Sequence, residues 1–135
     1  ILKSATIKLQ SRVQYSRTQN HDRSSTSGII LSQDIRYIKK RFQVDYRFAI
    51  FETDDYENRQ YIYVKDVRYA FSIPAHQNKG IRTYIMVKTK PLKMVTIYVK
   101  WSQFYYFGVT EIGSGNSKIK GNRRSDLKVQ LIWDL

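Results

Sequence analysis

The sequence predicts an all-β fold of antiparallel strands that run up and down in chain order. Three observations predict it. Apolar residues recur at every second position through most of the 135 residues, the period of a strand with one apolar face. No stretch carries a convincing 3.6-residue period. The alternating stretches are roughly ten residues long, whereas strands of soluble sheets usually have about five or six.

The first strand, Thr6 to Tyr15, sets Ile7, Leu9, Ser11, Val13 and Tyr15 against Lys8, Gln10, Arg12 and Gln14. The second, Gly28 to Ile38, sets Ile29, Leu31, Ile35 and Tyr37 against Ser32, Asp34 and Arg36. The third, Phe42 to Phe51, gives Phe42, Val44, Tyr46, Phe48 and Ile50 against Gln43, Asp45 and Arg47. A fourth is expected at Gln60 to Ser72, with Tyr61, Tyr63, Val67, Tyr69 and Phe71 on its apolar face, broken by Lys65, and Asp66 and Arg68 opposite. The fifth, Ile81 to Lys90, sets Ile81, Ile85 and Val87 against Arg82, Lys88 and Lys90. The sixth, Met94 to Phe107, sets Val95, Ile97, Val99, Trp101 and Tyr105 against Thr96, Lys100 and Ser102. The last, Asp126 to Leu135, sets Leu127, Val129, Leu131, Trp133 and Leu135 against Asp126, Lys128, Gln130 and Asp134.

Strands of this length match the roughly 9–11 residues that a tilted strand needs to cross a bilayer. The expectation is therefore an antiparallel up-and-down transmembrane β-barrel segment of about six to eight strands, part of a larger barrel. A soluble sandwich or lipocalin-like barrel has the same alternation with the apolar face inward. Three details favour the membrane version. Asp and Arg stand two apart in Asp34/Arg36, Asp45/Arg47 and Asp66/Arg68, so neighbouring strands can join them into a lumenal ion-pair lattice. Aromatics gather at strand ends (Tyr15, Tyr37, Phe42, Tyr105, Tyr106, Trp133), as in interfacial girdles. The final stretch, with Val129, Leu131, Trp133 and Leu135, has the alternation and terminal apolar residue of a signal read by barrel-assembly machinery.

The totals constrain the alternatives. Without Cys, disulfides, thiolate metal sites and Cys nucleophiles are excluded. His21 and His76 both lie in loop-like sequence and read as solvated, which speaks against a zinc site built mainly from His. Mean hydropathy is −0.53, an average that cancels in strands alternating apolar and polar residues. The net charge of +13 suits nucleic acid or an anionic surface; in a barrel it lines the lumen or meets lipid phosphates at the rims. No run of 18 apolar residues is present, so no transmembrane helix is expected. Ile1 opens directly into strand-like sequence with no signal peptide, so the chain is read as mature, internal or a fragment.

Connection lengths carry topology. Ser16 to Ser27 and Gly108 to Ser125 are long and polar; Lys39 to Arg41 and Pro91 to Lys93 are tight. In outer-membrane barrels the short turns face the periplasm and the long loops face outside. With the C-terminus periplasmic, these lengths agree only if Thr53 to Gly80 begins and ends on one side. The stretch is then an extracellular excursion or contains two short strands, with Lys65 and Asp66 near a turn. The alternative is one ordinary strand with a snorkelling Lys65.

Several pieces resemble a known family. They are Phe51-Glu-Thr-Asp-Asp-Tyr-Glu-Asn-Arg59, then Tyr69-Ala-Phe-Ser-Ile-Pro-Ala75 with Lys79-Gly80, Ile112-Gly-Ser-Gly115, Gly121-Asn122 and Ser125-Asp-Leu-Lys-Val-Gln130. Over roughly residues 30 to 135 the chain is similar to the C-terminal barrel portion of large Bacteroidota outer-membrane proteins described as helix-hairpin-helix-containing. The resemblance implies that residues 1–135 are the C-terminal part of an outer-membrane β-barrel. It implies a DNA role only weakly, because the family's helix-hairpin-helix region is not in this sequence.

The chemistry of the remaining motifs is sparse. Asp54, Asp55 and Glu57 offer carboxylates to a hard cation, but without EF-hand spacing they read as a solvated acidic turn pairing with Arg59. Gly113-Ser-Gly115 follows no strand feeding a helix, so it reads as a loop and not as a phosphate cradle. No Ser/His/Asp arrangement or paired-carboxylate motif is identifiable, and neither an enzyme nor a cofactor is expected. The expected lumen-facing set is Arg12, Asp34, Arg36, Asp45, Arg47, Asp66, Arg68, Lys88, Lys100 and Lys128. Lys118, Lys120, Arg123 and Arg124 are candidates for contact with lipid or other anions, either lipopolysaccharide phosphates or nucleic acid; the alternative is a solvated basic loop. Expected partners are membrane lipid, lipopolysaccharide and the remaining strands of a longer barrel or partner membrane proteins. The function expected is a pore, anchor or assembly component of the bacterial outer membrane. Two further readings stay open: a soluble basic β-barrel binding nucleic acid, and a carrier of an apolar small molecule.

Overall fold

A computed structural model describes residues 5–22 and 24–135. The described residues form ten strands: β1 (Thr6–Gln19), β2 (Ser25–Lys39), β3 (Phe42–Thr53), β4 (Gln60–Tyr61), β5 (Ala75–His76), β6 (Lys79–Leu92), β7 (Val95–Tyr106), β8 (Glu111–Ile112), β9 (Ile119–Lys120) and β10 (Arg123–Trp133). Six of them build one antiparallel sheet in the order β1-β2-β3-β6-β7-β10. β4 with β5 and β8 with β9 make two separate small hairpins. The only helical element among the described residues is a 3-10 turn at Gly115–Ser117.

The long strands begin and end within a few residues of where their alternation begins and ends. β1 and β2 extend further than the pattern suggests, shortening their connection to Asn20–Ser24. Polar Ser16, Arg17, Thr18 and Gln19 pair with Gly28, Ser27, Thr26 and Ser25, because backbone pairing needs no apolar side chain. The turn joining β2 to β3 is two residues, with Lys40 at φ 51°, the left-handed conformation that tight hairpin turns require. The chain passes from β6 to β7 through a register irregularity after Thr89.

One expected strand is absent. Gln60 to Ser72 does not cross the sheet; β3 pairs directly with β6 from Phe42↔Thr89 to Glu52↔Lys79. The stretch between them leaves and returns at the same end of the sheet, where Thr53 N–H bonds to the Asn78 carbonyl. It holds β4, β5 and an isolated Val64↔Ser72 bridge, so the expectation of two short strands holds. Its expected apolar face does not join the open face of the sheet, because the segment lies over the opposite one. Gln60, Ile62 and Val64 are buried, while Tyr61, Tyr63, Tyr69 and Phe71 are exposed. The alternation was visible but its buried parity was not, since the Tyr residues carry more apolar surface than Gln60.

Both two-residue turns lie at one end of the sheet. The connections 20–24, 54–78 and 107–122 lie at the other, as the antiparallel order dictates. Segment 54–78 folds back over the polar face of the sheet. Its Ile62 packs with Ile30, Ala49, Phe51 and Tyr106, and its Val64 with Tyr84, Met86 and Tyr98. The buried core therefore sits on the face that the sequence marks as polar. The other face is covered by no described residue.

Candidate functional site

The register places side chains of all six long strands in common rows. On the open face one row is Leu9, Ile35, Tyr46, Ile85, Trp101 and Leu127. Another is Ile7, Tyr37, Val44, Val87, Val99 and Val129. Leu9, Val13, Leu127 and Val129 are each exposed by more than 65% (69, 69, 67 and 68%), and Leu131 and Trp133 are also exposed. The apolar rows cross all six strands, interrupted by one row that is polar apart from Phe48: Ser11, Gln33, Phe48, Thr83, Gln103 and Ser125; exposed apolar rows of this extent mark an interaction surface.

The band runs obliquely to the strands. On β1 and β2 it reaches from the Ile7/Tyr37 pair to the Tyr15/Ile29 pair. On β10 it spans Leu127 to Trp133, paired with Trp101 to Val95, and Arg123 stands in the row that is Val13 on β1. Its centre slips by roughly one residue per strand, about 3.3 Å along for each about 4.8 Å across. The strands are thus inclined by about 35° to the normal of the band, within the tilt of transmembrane barrel strands. Tyr15, Tyr37, Phe42, Tyr105 and Trp133 fall near its margins. Tyr106 does not: it points to the covered face and is buried.

The covered face holds the charges. Asp34 and Arg47 are cross-strand partners, as are Arg36 and Asp45. Arg47 Nε and Nη2 clasp the two Asp34 oxygens, and its Nη1 donates to the Tyr63 carbonyl at 2.7 Å. Asp45, 2% exposed, accepts from Arg36 Nε at 2.6 Å, Lys65 Nζ at 2.5 Å and Gln43 Nε2 at 2.6 Å. The two-residue Asp/Arg spacing therefore exchanges partners between strands. Asp66 sits in the covering segment, with Lys128 Nζ at 2.8 Å and Lys100 Nζ at 3.3 Å. These cations hold its carboxyl below the ordinary range although burial pushes it up. Arg68, beside it, lies 3.8 Å from Asp134. Lys88 lies over the Tyr98 ring, and Arg12 is exposed near the free edge of β1. All eight strand-borne members of the expected polar set share the covered face; Asp66 and Arg68 meet it from above.

Segment 54–78 reaches both edge strands. Gln60 bonds to Gln14 and Ser16, and Asn58 to Ser16 and Thr18 of β1. Gln130 of β10 donates to the Arg68 carbonyl. Gly28 makes this seating possible: a Cβ there would lie 2.3 Å from the Asn58 carbonyl oxygen. Asp54 accepts from Ser27 and Asp55 from Asn58, while Arg59 lies over the Tyr56 and Tyr61 rings.

His76 corrects the expectation of two solvated histidines. His21 is exposed, but His76 is 2% exposed. Its ring lies against Phe51 and Phe104, and its Nδ1 donates to the Gln60 carbonyl at 3.1 Å. Burial and the positive charge of Arg82 push its pKa down to about 4. Nothing local in the sequence marks this residue, since its burial depends on segment 54–78 folding back.

The four basic residues near the last loop separate. Lys118 pairs with Glu111 at 2.7 Å, and Lys120 is exposed in β9. Arg123 and Arg124 belong to β10 and point to opposite faces, Arg123 over the Tyr105 ring and Arg124 toward a cavity beside Arg82. They do not form one patch. Comparison with protein-family models, with curated proteins and with solved structures gives no match.

Proposed function

We propose that this chain is part of an outer-membrane β-barrel, with its open face toward lipid and its covered face toward the barrel interior. The observation that carries this reading is the oblique apolar band. A soluble sheet buries its apolar face and solvates the other; here the apolar face is open and the charged face is covered. The inclination of about 35° is what tilted strands need to keep an apolar belt level with a bilayer. Additional strands of a longer barrel or a partner membrane protein pair with the free edges of β1 and β10, since long unpaired edges otherwise template aggregation. The family reading, Bacteroidota helix-hairpin-helix-containing outer-membrane proteins, is consistent with this location and stays part of the proposal.

Segment 54–78 favours a filled interior over a wide channel, so anchoring or assembly suits the chain better than bulk transport. The carrier reading is disfavoured because Ile7, Leu9 and Val13 are on the open face, not around an enclosed cavity. The nucleic-acid reading is disfavoured because, within the sheet, Tyr15, Tyr37, Phe42, Tyr46 and Trp101 lie on the open face whereas Arg12, Arg36, Arg47, Lys88, Lys100 and Lys128 lie on the other, so these do not interleave along one strand-binding groove.

Trp101 and Trp133 are the two tryptophans of the sequence, and both are on the open face. In lipid vesicles, brominated acyl chains are expected to quench both, and acrylamide in water to quench neither strongly. Recovery of the chain as a soluble monomer without detergent, with both tryptophans open to acrylamide, would sink the proposal.

A further inference from the structure

Arg82 lacks the acid that its neighbours have. It is 5% exposed, yet its Nε and Nη1 have no hydrogen-bond partner among the described residues. Its guanidinium lies over the Phe104 ring at 4.4 Å, which offers a π face but no acceptor for the N–H groups. Arg47 and Lys100 nearby are occupied by Asp34 and Asp66. Burying a guanidinium without an acceptor is strongly unfavourable, so an uncompensated one points to an anion as its partner.

Arg82 lines a cavity of about 460 Å³ that Ser72, Gln77, Phe104 and Arg124 also line. Arg124 brings a second cation to it. Gln77 brings a second orphan, because its buried Oε1 has no donor. Asp126 lines the same cavity but forms no ion pair with Arg82. Two residues with unmet needs thus line one space: Arg82, whose buried N–H groups lack an acceptor, and Gln77, whose buried amide oxygen lacks a donor.

We propose that this cavity binds a phosphate-type oxyanion from water. Arg82 and Arg124 take the charged oxygens, Arg82 as the pre-organised fork suited to them. The P–OH of hydrogen phosphate donates to Gln77. A carboxylate meets the first need and not the second, so phosphate is preferred over acetate. The site is on the covered face, away from the apolar band, and does not depend on the membrane reading.

The test is calorimetric titration of the full chain in nonionic detergent with inorganic phosphate and, separately, with acetate. Saturable one-to-one phosphate binding is expected, at least tenfold tighter than acetate. Arg82→Met is expected to weaken phosphate at least tenfold, and Gln77→Leu to narrow the difference between the two anions. Arg12→Met, on the same face but at the sheet edge, leaves binding unchanged. Phosphate should raise the melting temperature of the parent chain and not that of Arg82→Met, which tests the site even if the variant's fold is altered in stability. Absent saturation, phosphate binding insensitive to Arg82→Met, or binding only when phosphate-bearing lipid is added to the micelle would each overturn the inference.

Discussion

Two long connections leave the same end of the sheet and meet different fates. Segment 54–78 folds back onto the covered face and buries Asn58, Gln60, Ile62, Val64 and His76. Segment 107–122 makes its own small hairpin from β8 and β9 and stays mostly exposed, with only Val109 and Ile112 touching the core. Both contain β-branched residues, and both are rich in polar ones. The difference is what each can find on the sheet. Segment 54–78 carries Ile62 and Val64 two apart, flanked by Asn58, Gln60 and Asp66, which meet the amides, hydroxyls and ammonium groups below. Segment 107–122 carries Gly108, Gly113, Gly115 and Gly121 in left-handed conformations, which lets it turn upon itself, and its Lys118 is satisfied by its own Glu111. A connection becomes a cover when its side chains complement the face below it and its backbone can approach.

That contrast can be broken from the ion pair outward. Asp66→Ala leaves Lys100, with its side chain 4% exposed, buried without an anion; a loss of about 3 kcal/mol is expected. Urea unfolding in detergent micelles reads it, and Lys100→Met in the same chain should recover much of the loss. If Asp66→Ala costs nothing, the segment is not held by that pair. Ile62→Ala comes next, at about 2–3 kcal/mol for an apolar side chain removed from a packed core; protease cleavage within 54–78 should rise with it.

His76 gives the comparison a pH dependence. Its folded pKa of about 4 lies below its ordinary 6.5, so the unfolded chain takes up the proton first as pH falls. The stabilisation is fully present above pH 6.5 and is lost as pH falls through 4, a change of at most about 3 kcal/mol. His76→Phe should flatten the stability profile across that window, and an unchanged slope would remove His76 as its source. Gly28→Ala forces Asn58 to shift and should cost roughly 1–3 kcal/mol, with a matching gain in cleavage of 54–78. Smallest is Ile119→Ser in β9, which should stay within about 0.5 kcal/mol; a large effect would mean that segment 107–122 is also packed in place.

The strands of the main sheet were legible because a period of two survives translation into structure residue by residue. The Asp34/Arg36 and Asp45/Arg47 spacing even anticipated a cross-strand lattice, though not which acid met which base. Gln60 to Ser72 was misread for a definite reason. Alternation says that a segment is extended, not what its two sides meet: Tyr61 and Tyr63 form the exposed side, and Ile62 and Val64 pack on the sheet. Turn lengths put both ends of 54–78 at one end of the sheet and carry no information about its faces. Arg82 and Gln77 drew no attention because an orphaned group is defined by what surrounds it.

The sequence by itself determined that the chain is all-β, where its long strands run, and that each has one apolar and one charged face. These follow from local periodicity and turn lengths. Only the tertiary structure decided which face is covered, that the apolar band crosses the strands obliquely, and that His76 and Arg82 are buried. These depend on register between strands and on one segment folding back, relations among residues distant in the chain that no local pattern encodes.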